Sequence, residues 1–256
     1  MKTEIITVAG KATRFNRDTD EEVLKCLYYK DRPECSLLYQ ILQKSEEVER
    51  FVIVGGYLYD KLEEYMDTCC DKFKSRVQLV YNDKYDEYGS GYSLIKGIET
   101  LDDTDEVIFV EGDLFFDKVS FQKVVDSTRD VITVNRELIH ADKAVVLYVD
   151  GDDSIHYLYD TRHKLLNIPE PVKAIYNSAQ IWKFLDFSRL KNVVSNLTEQ
   201  QVRGTNLEIV QGYFDNRKSN DVYTCVIEEW GNCNTVADYL KIYSRIKNEN
   251  HDEHGR

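Results

Sequence analysis

Apolar residues return along this chain in two different periods. Short runs rich in β-branched and aromatic residues, at 4–9, 51–54, 77–81, 106–110 and 131–134, read as strands, those at 4–9, 51–54 and 106–110 as buried ones. Between them the apolar positions fall on one helical face. Leu37, Leu38, Ile41 and Leu42 follow Ser36 as a cap, Leu58, Leu62, Met66 and Cys69 follow next, and Leu94, Ile95, Ile98 and Leu101 come third. Strands alternating with helices predict a mostly parallel sheet, with ligands at the carboxyl ends of its strands. The pattern changes after residue 142, where 144–149 and 155–159 flank the turn sequence Asp150-Gly151-Asp152-Asp153-Ser154, a β-hairpin. Residues 116–126 and 195–214 read as helical, and 222–227 as a last strand. Val236, Tyr239, Leu240 and Tyr243 line a closing helix, and the polar residues 247–256 read as a disordered tail.

The fold class expected is therefore α/β: a single Rossmann-like domain over 1–246, a mostly parallel mixed sheet flanked by helices, with a β-hairpin part. Only three prolines occur in the 256 residues, and neither a linker nor a fixed-period repeat breaks the chain. The net charge of -13 leaves no basic stripe for a nucleic-acid backbone, which argues against a nucleic-acid partner. It does not exclude one nucleotide, which needs only local donors and a metal ion. Six cysteines lack any CxxC spacing, which argues against a zinc site or a disulfide framework. No apolar run reaches the ~20 residues of a membrane span, and no secretion-type leader is present, so the expectation is a cytoplasmic protein without a membrane partner.

Chemistry is sought where strands end. After the first, Gly10-Lys11-Ala12-Thr13-Arg14 combines small residues, which let main-chain N–H groups approach a phosphate, with two cations. An ordinary tight turn reads the same way. Asn82 ends the third strand, and Gly89-Ser90-Gly91 opens the helix after it. That stretch either frees main-chain groups to face a base edge or is a flexible loop with a serine cap. After the fourth strand comes Glu111-Gly112-Asp113, where Asp113 either holds a cation or sits in a tight turn.

Ala9-Gly10-Lys11-Ala12-Thr13-Arg14-Phe15, followed by Leu24-Lys25-Cys26-Leu27, resembles the signature of the nucleotidyltransferases that join a nucleoside triphosphate to a phosphorylated metabolite. In that signature a lysine precedes a short strand. Ala12 stands where the family has its second glycine, and Val23-Leu24 where a proline usually precedes the lysine. The resemblance implies that Ala9, Gly10, Lys11, Ala12 and Thr13 hold the nucleotide and that Asn82, Gly89 and Ser90 read its base. It assigns catalysis to Lys25, Arg14 and Asp113. Asp113 and Asn234 would bind Mg2+, with Asn232 as a rival ligand; an amide oxygen is a weaker ligand than a carboxylate because it adds no charge.

The hairpin part would bind the acceptor, together with Tyr176, Asn177, Ser178 and Trp230. Residues 174–184 read equally as an edge strand. The reaction implied is attack of an acceptor phosphate or phosphonate oxygen on the α-phosphorus with loss of pyrophosphate, catalysed by positioning and charge neutralisation. The Tyr92-Ser93-Leu94 stretch and the short chain look most like the bacterial cytidylyltransferases of CDP-linked cell-surface polysaccharide precursors, with CTP and phosphocholine as substrates. Trp182, Trp230 and Tyr176, among 18 tyrosines, could cage a quaternary ammonium or simply fill the core. The alternatives are a UTP- or dTTP-dependent sugar-1-phosphate enzyme and a catalytically silent nucleotide binder. A monomer or homodimer is expected.

Overall fold

The computed structural model describes residues 1–102, 106–140, 144–158 and 166–254, with side chains as far as 249. Its first half runs β1 (Lys2–Thr7), α1 (Leu37–Lys44), β2 (Arg50–Gly55), α2 (Tyr59–Cys69), β3 (Val77–Tyr81), α3 (Ser90–Ile98) and β4 (Glu106–Glu111). Then come β5 (Leu114–Phe116), α4 (Lys118–Asp126), β6 (Val131–Asn135), the hairpin β7 (Val146–Asp150) and β8 (Ile155–Leu158), and β9 (Val172–Phe184). The chain closes with α5 (Phe187–Ser195), α6 (Glu199–Val202), α7 (Asn206–Phe214), β10 (Tyr223–Ile227), β11 (Trp230–Asn232) and α8 (Val236–His254).

Among the described residues, one nine-stranded sheet carries the order β10-β6-β9-β4-β1-β2-β3, with β7 pairing β9 and β8 pairing β7. The β3-β2-β1-β4 half is parallel, and β9 lies antiparallel between β4 and β6. Neighbouring strand residues point to opposite faces. Ile6, Ile53 and Ile108 pack with α1, α2 and α4, while Ile5, Val52 and Phe109 pack with α3, α5 and α7. Each such side chain contributes ~1.5–3 kcal/mol by leaving water. A third cluster joins α8, through Tyr239, Ile242 and Tyr243, to Phe15 and Leu37 near the amino end. That clasp ties the two ends of the chain beside the carboxyl edge of the parallel strands.

The structure departs from the sequence expectations at several places. Residues 26–29 are not a strand: Lys25 sits in a turn in which the Leu27 N–H reaches the Leu24 carbonyl at 2.9 Å. The backbone there closes on itself instead of pairing along a sheet edge. The expected helix over 195–214 is broken, because the Arg203 and Gly204 carbonyls accept the N–H groups of Gly89 and Gly91 instead of continuing a helical ladder. β9 is not an edge strand. Its carboxyl half pairs β4, its amino half pairs β7, and Gln180 takes φ 59° between the two.

The pairing of β5 with β11 had no visible pattern in the sequence. The expected tail at 247–256 is helical as far as His254, since Ile246 is buried and Lys247 and Glu249 pair with Asp31 (2.9 Å) and Lys44 (2.8 Å). Asp142 and Tyr159, at the margins of the expected hairpin, lie outside the described residues. Among the described residues no helix is long and apolar enough to cross a membrane.

Candidate active site

The carboxyl ends of β1 and β4, with the segments that follow β1 and β3, surround a cleft of about 250 Å³. Strand ends are bound to one another here. The Gly112 N–H reaches the Thr7 carbonyl (3.0 Å), the Tyr57 N–H the Ala9 carbonyl (3.1 Å), and the Asn82 N–H the Gly55 carbonyl (2.8 Å). A Cβ on Gly112 would lie 2.3 Å from Val8 Cγ1, so only glycine lets the turn after β4 press against β1. Ala12 stands in the left-handed region at φ 50°, a conformation that glycine adopts freely and alanine does not. The rest of the loop is closed by Asn16, whose Nδ2 donates to the Lys11 and Val23 carbonyls (3.1 and 3.2 Å) while its Oδ1 accepts from the Val23 N–H (3.0 Å).

That closure delivers Lys25 to the cleft wall, where its Nζ lies 2.6 Å from Asp113 Oδ2. Burial alone lowers the lysine pKa, but the charge and hydrogen bond of Asp113 outweigh it and hold Lys25 above the ordinary lysine value, so it is a cation at neutral pH. Asp113 Oδ1 is buried without a hydrogen-bond partner among the described residues. The Asp113 carbonyl accepts from the Cys233 N–H (2.9 Å), which brings the next residue, Asn234, alongside. Asn234 Oδ1 accepts from Arg14 Nη2 at 2.7 Å, and its Nδ2 donates to Asn232 Oδ1 at 2.8 Å. The two cations and the two metal-ligand candidates thus converge as cross-paired couples, Lys25 with Asp113 and Arg14 with Asn234. For a divalent cation, the orphaned Asp113 Oδ1 fits. Asn234 fits only once Arg14 turns away.

At the other end of the cleft stand Asn82, Tyr85, Tyr88, Gly89, Ser90 and Ser93. The expectation of free main-chain groups at the glycines does not hold. The Gly89 and Gly91 N–H groups donate to the Arg203 and Gly204 carbonyls (2.9 and 3.2 Å), and a Cβ on Gly89 would lie 2.2 Å from Gly204 O. Nor is Ser90 a cap: it is the first helical residue, Gly89 precedes it in the cap position, and its Oγ accepts from the Asn206 N–H (3.2 Å). Asn82 also spends its amide internally, on the Lys84 N–H (2.8 Å) and Ser93 Oγ (2.9 Å).

Ala9, Gly10, Ala12, Lys25, Asn82, Gly89, Ser90 and Asp113 all line the cleft. Lys11 instead reaches across to an ion pair with Asp86, and Thr13 is exposed outside the lining. Of the acceptor candidates none lines it. Ser178 is fully buried with its Oγ accepting from the Gln180 N–H (3.1 Å), and Trp230 gives its indole N–H to the Ala179 carbonyl (2.8 Å). Tyr176 and Asn177 lie on the amino half of β9. Trp182 is a core residue stacked on Phe109. The sequence reading missed Asn16, Glu111 and Asn206 as site-building residues. A carboxylate two positions before Asp113 was a visible sign of Glu111, whereas nothing local marks Asn206, 95 residues away from its partner.

A cleft with a cationic, small-residue loop at one end and an orphaned carboxylate oxygen beside a lysine can neutralise and orient a polyphosphate. Comparison with known proteins agrees with that chemistry. The family model described as Domain of unknown function (DUF6564) matches residues 21–246. A curated relative, the choline-phosphate cytidylyltransferase of Streptococcus pneumoniae, is 28% identical over 259 residues, covering 96% of this chain and 99% of that protein.

Among solved structures, the inositol-1-phosphate CTP transferase of T. maritima superposes with a TM-score of 0.68 at 20% identity, over 96% of each chain. A putative glucose-1-phosphate thymidylyltransferase of Bacillus anthracis gives 0.70 at 12% identity, over 95% of this chain and 94% of that one. The CTP:phosphocholine cytidylyltransferase of Streptococcus pneumoniae gives 0.63 at 22% identity, over 96% and 99%. At these identities the superpositions establish a shared fold.

Proposed function

The chain belongs to the family Domain of unknown function (DUF6564) and is of the nucleotidyltransferase type, and from that premise we propose that it transfers CMP from CTP to a phosphorylated small metabolite, such as phosphocholine or a related phosphate or phosphonate. Pyrophosphate is the second product. The observation that carries this reading is that Gly10, Ala12, Lys25 and Asp113 line one cleft, with the Arg14–Asn234 pair against it. CTP is favoured because the curated relative and two of the structural neighbours are named for it.

In the reaction an acceptor phosphate oxygen attacks the α-phosphorus, a new P–O bond forms, and the bond to the bridging oxygen of the β-phosphate breaks. Lys25 leaves Asp113 for the α-phosphate and the incoming oxygen, and Arg14 leaves Asn234 for the β- and γ-phosphates. Both moves exchange one anionic or polar partner for another, so neither cation is left unpaired. Asp113 and Asn234 would hold magnesium, which when bound supplies charge neutralisation on the triphosphate. Tyr176 and Asn177 stay as acceptor candidates, at the end of the sheet beside β6.

The test is pyrophosphate release with each of the four NTPs and dTTP against a panel of phosphorylated amines, polyols and sugars. CTP with an amine or polyol phosphate is the expected pair. Turnover confined to UTP or dTTP with a hexose 1-phosphate would replace the substrate assignment. Saturable nucleotide binding without turnover on any acceptor would make the chain a silent binder, the reading that Ala12 and Asn234 favour.

A further inference from the structure

Glu111 ends the central strand β4 at the floor of the cleft, half-buried, in register with Thr7. A carboxylate there requires compensation, yet the neighbouring cation Lys25 is engaged with Asp113. What holds Glu111 is a neutral donor: Asn206 Nδ2, at the start of α7, donates to Oε1 at 2.6 Å. Asn206 is 2% exposed, and its own N–H donates to Ser90 Oγ in the base-side wall. The carboxylate is therefore fixed from below by a residue that also fixes the base end, and Oε2 has no hydrogen-bond partner among the described residues.

The position along the cleft identifies a ligand for that oxygen. One end is the Ser90–Ser93 wall, and the other is the pair Lys25–Asp113. Glu111 lies between them, joined to the first through Asn206 and to the second by a two-residue step. A nucleotide lying with its base at one end and its phosphates at the other places its pentose over Glu111. The pentose offers hydroxyl donors, and a carboxyl oxygen without a partner accepts from them. We infer that Glu111 is the pentose-reading residue, accepting from at least one ribose hydroxyl, and that this makes the protein select ribonucleotides over their deoxy counterparts. The inference rests on the nucleotide reading above and adds a specificity residue to it.

The experiment compares CTP with 2′-deoxy-CTP and 3′-deoxy-CTP in the wild type, Glu111→Gln and Glu111→Ala, by pyrophosphate release and by calorimetric binding to the full chain. In the wild type at least one deoxy analogue is expected to lose ~10- to 100-fold in kcat/KM and in affinity, the size of a hydrogen bond to a charged group. Both variants are expected to bring that ratio to within about threefold of unity, mainly by weakening CTP. Equal use of CTP and both analogues by the wild type overturns the inference, and this arm needs no variant to fold. A ratio unchanged in folded variants overturns it too, as does a shifted magnesium requirement at constant ratio, which would make Glu111 a metal ligand. Discrimination in binding without turnover sinks the transferase reading and keeps this one. Turnover without discrimination does the reverse.

Discussion

The two ends of the cleft solve opposite problems. At the end proposed to hold the phosphates, Lys25 and Asp113, and Arg14 and Asn234, are paired with each other by single contacts of 2.6 and 2.7 Å, and each couple can be opened by a better partner. At the end proposed to meet the base the polar groups are consumed in construction: Asn82, Ser90, Gly89 and Gly91 all bond to protein, and the 203–206 segment is welded to the start of α3. Charged groups that are exchanged during a reaction must be held reversibly. A wall that recognises a flat base by shape has to be rigid before the base arrives, because ordering it on binding would cost affinity.

The largest expected effect breaks the phosphate end. Lys25→Ala should lower kcat by about 10²- to 10³-fold, the scale of losing one preorganised charge at the reacting phosphate. KM for CTP should change far less, and a thermal melt should still be cooperative; steady-state kinetics read both. At the base end the order of effects inverts. Gly89→Ala drives a Cβ into the Gly204 carbonyl and should cost about 2–3 kcal/mol of stability by denaturant melt, with a raised KM for CTP and a nearly unchanged kcat for whatever remains folded.

Glu4 supplies a third case, in the middle of β1 and away from the cleft lining. It is fully buried, and burial pushes its pKa up to about 8, with the Ser45 hydroxyl offsetting only part. The folded state therefore keeps a proton that the unfolded state releases near pH 4.5, so stability falls as pH rises from about 5 to 8 and levels off above. Glu4→Gln should flatten that slope, removing about 3–4 kcal/mol of pH dependence between pH 5 and 8. Denaturant melts at four pH values measure it, and equal slopes in both proteins would show that Glu4 ionises without penalty. The smallest effect is Ala12→Gly, which relieves the φ 50° strain and should stabilise by about 1 kcal/mol or less without altering the Lys25–Asp113 pairing.

Much of the fold was legible because burial on both faces leaves continuous apolar runs. The residues of β2 and β6 lie where those runs lie, β3 lies at 77–81 as expected but half-exposed at the end of the sheet, and Ser36 caps α1 through the Tyr39 N–H as its position suggested. The small, cationic loop after β1 and the Glu111-Gly112-Asp113 turn were legible for the same reason, being local breaks at strand ends. The turn at Lys25, the internal place of β9 and the helical 247–254 were not, because each depends on a neighbour remote in sequence.

By itself, then, the sequence determined most of the strands, most of the helices, and which loops carry charge and small residues. Those are short-range properties, set by side-chain shape and periodicity within a few residues. Only the tertiary structure decided who partners whom: that Arg14 meets Asn234 220 residues away, that Lys25 meets Asp113, and that Asn206 rather than a cation holds Glu111. A carboxylate or an amide looks the same in the chain whatever it faces. Its charge, its free lone pairs and its use are settled by the three-dimensional environment that packing builds around it.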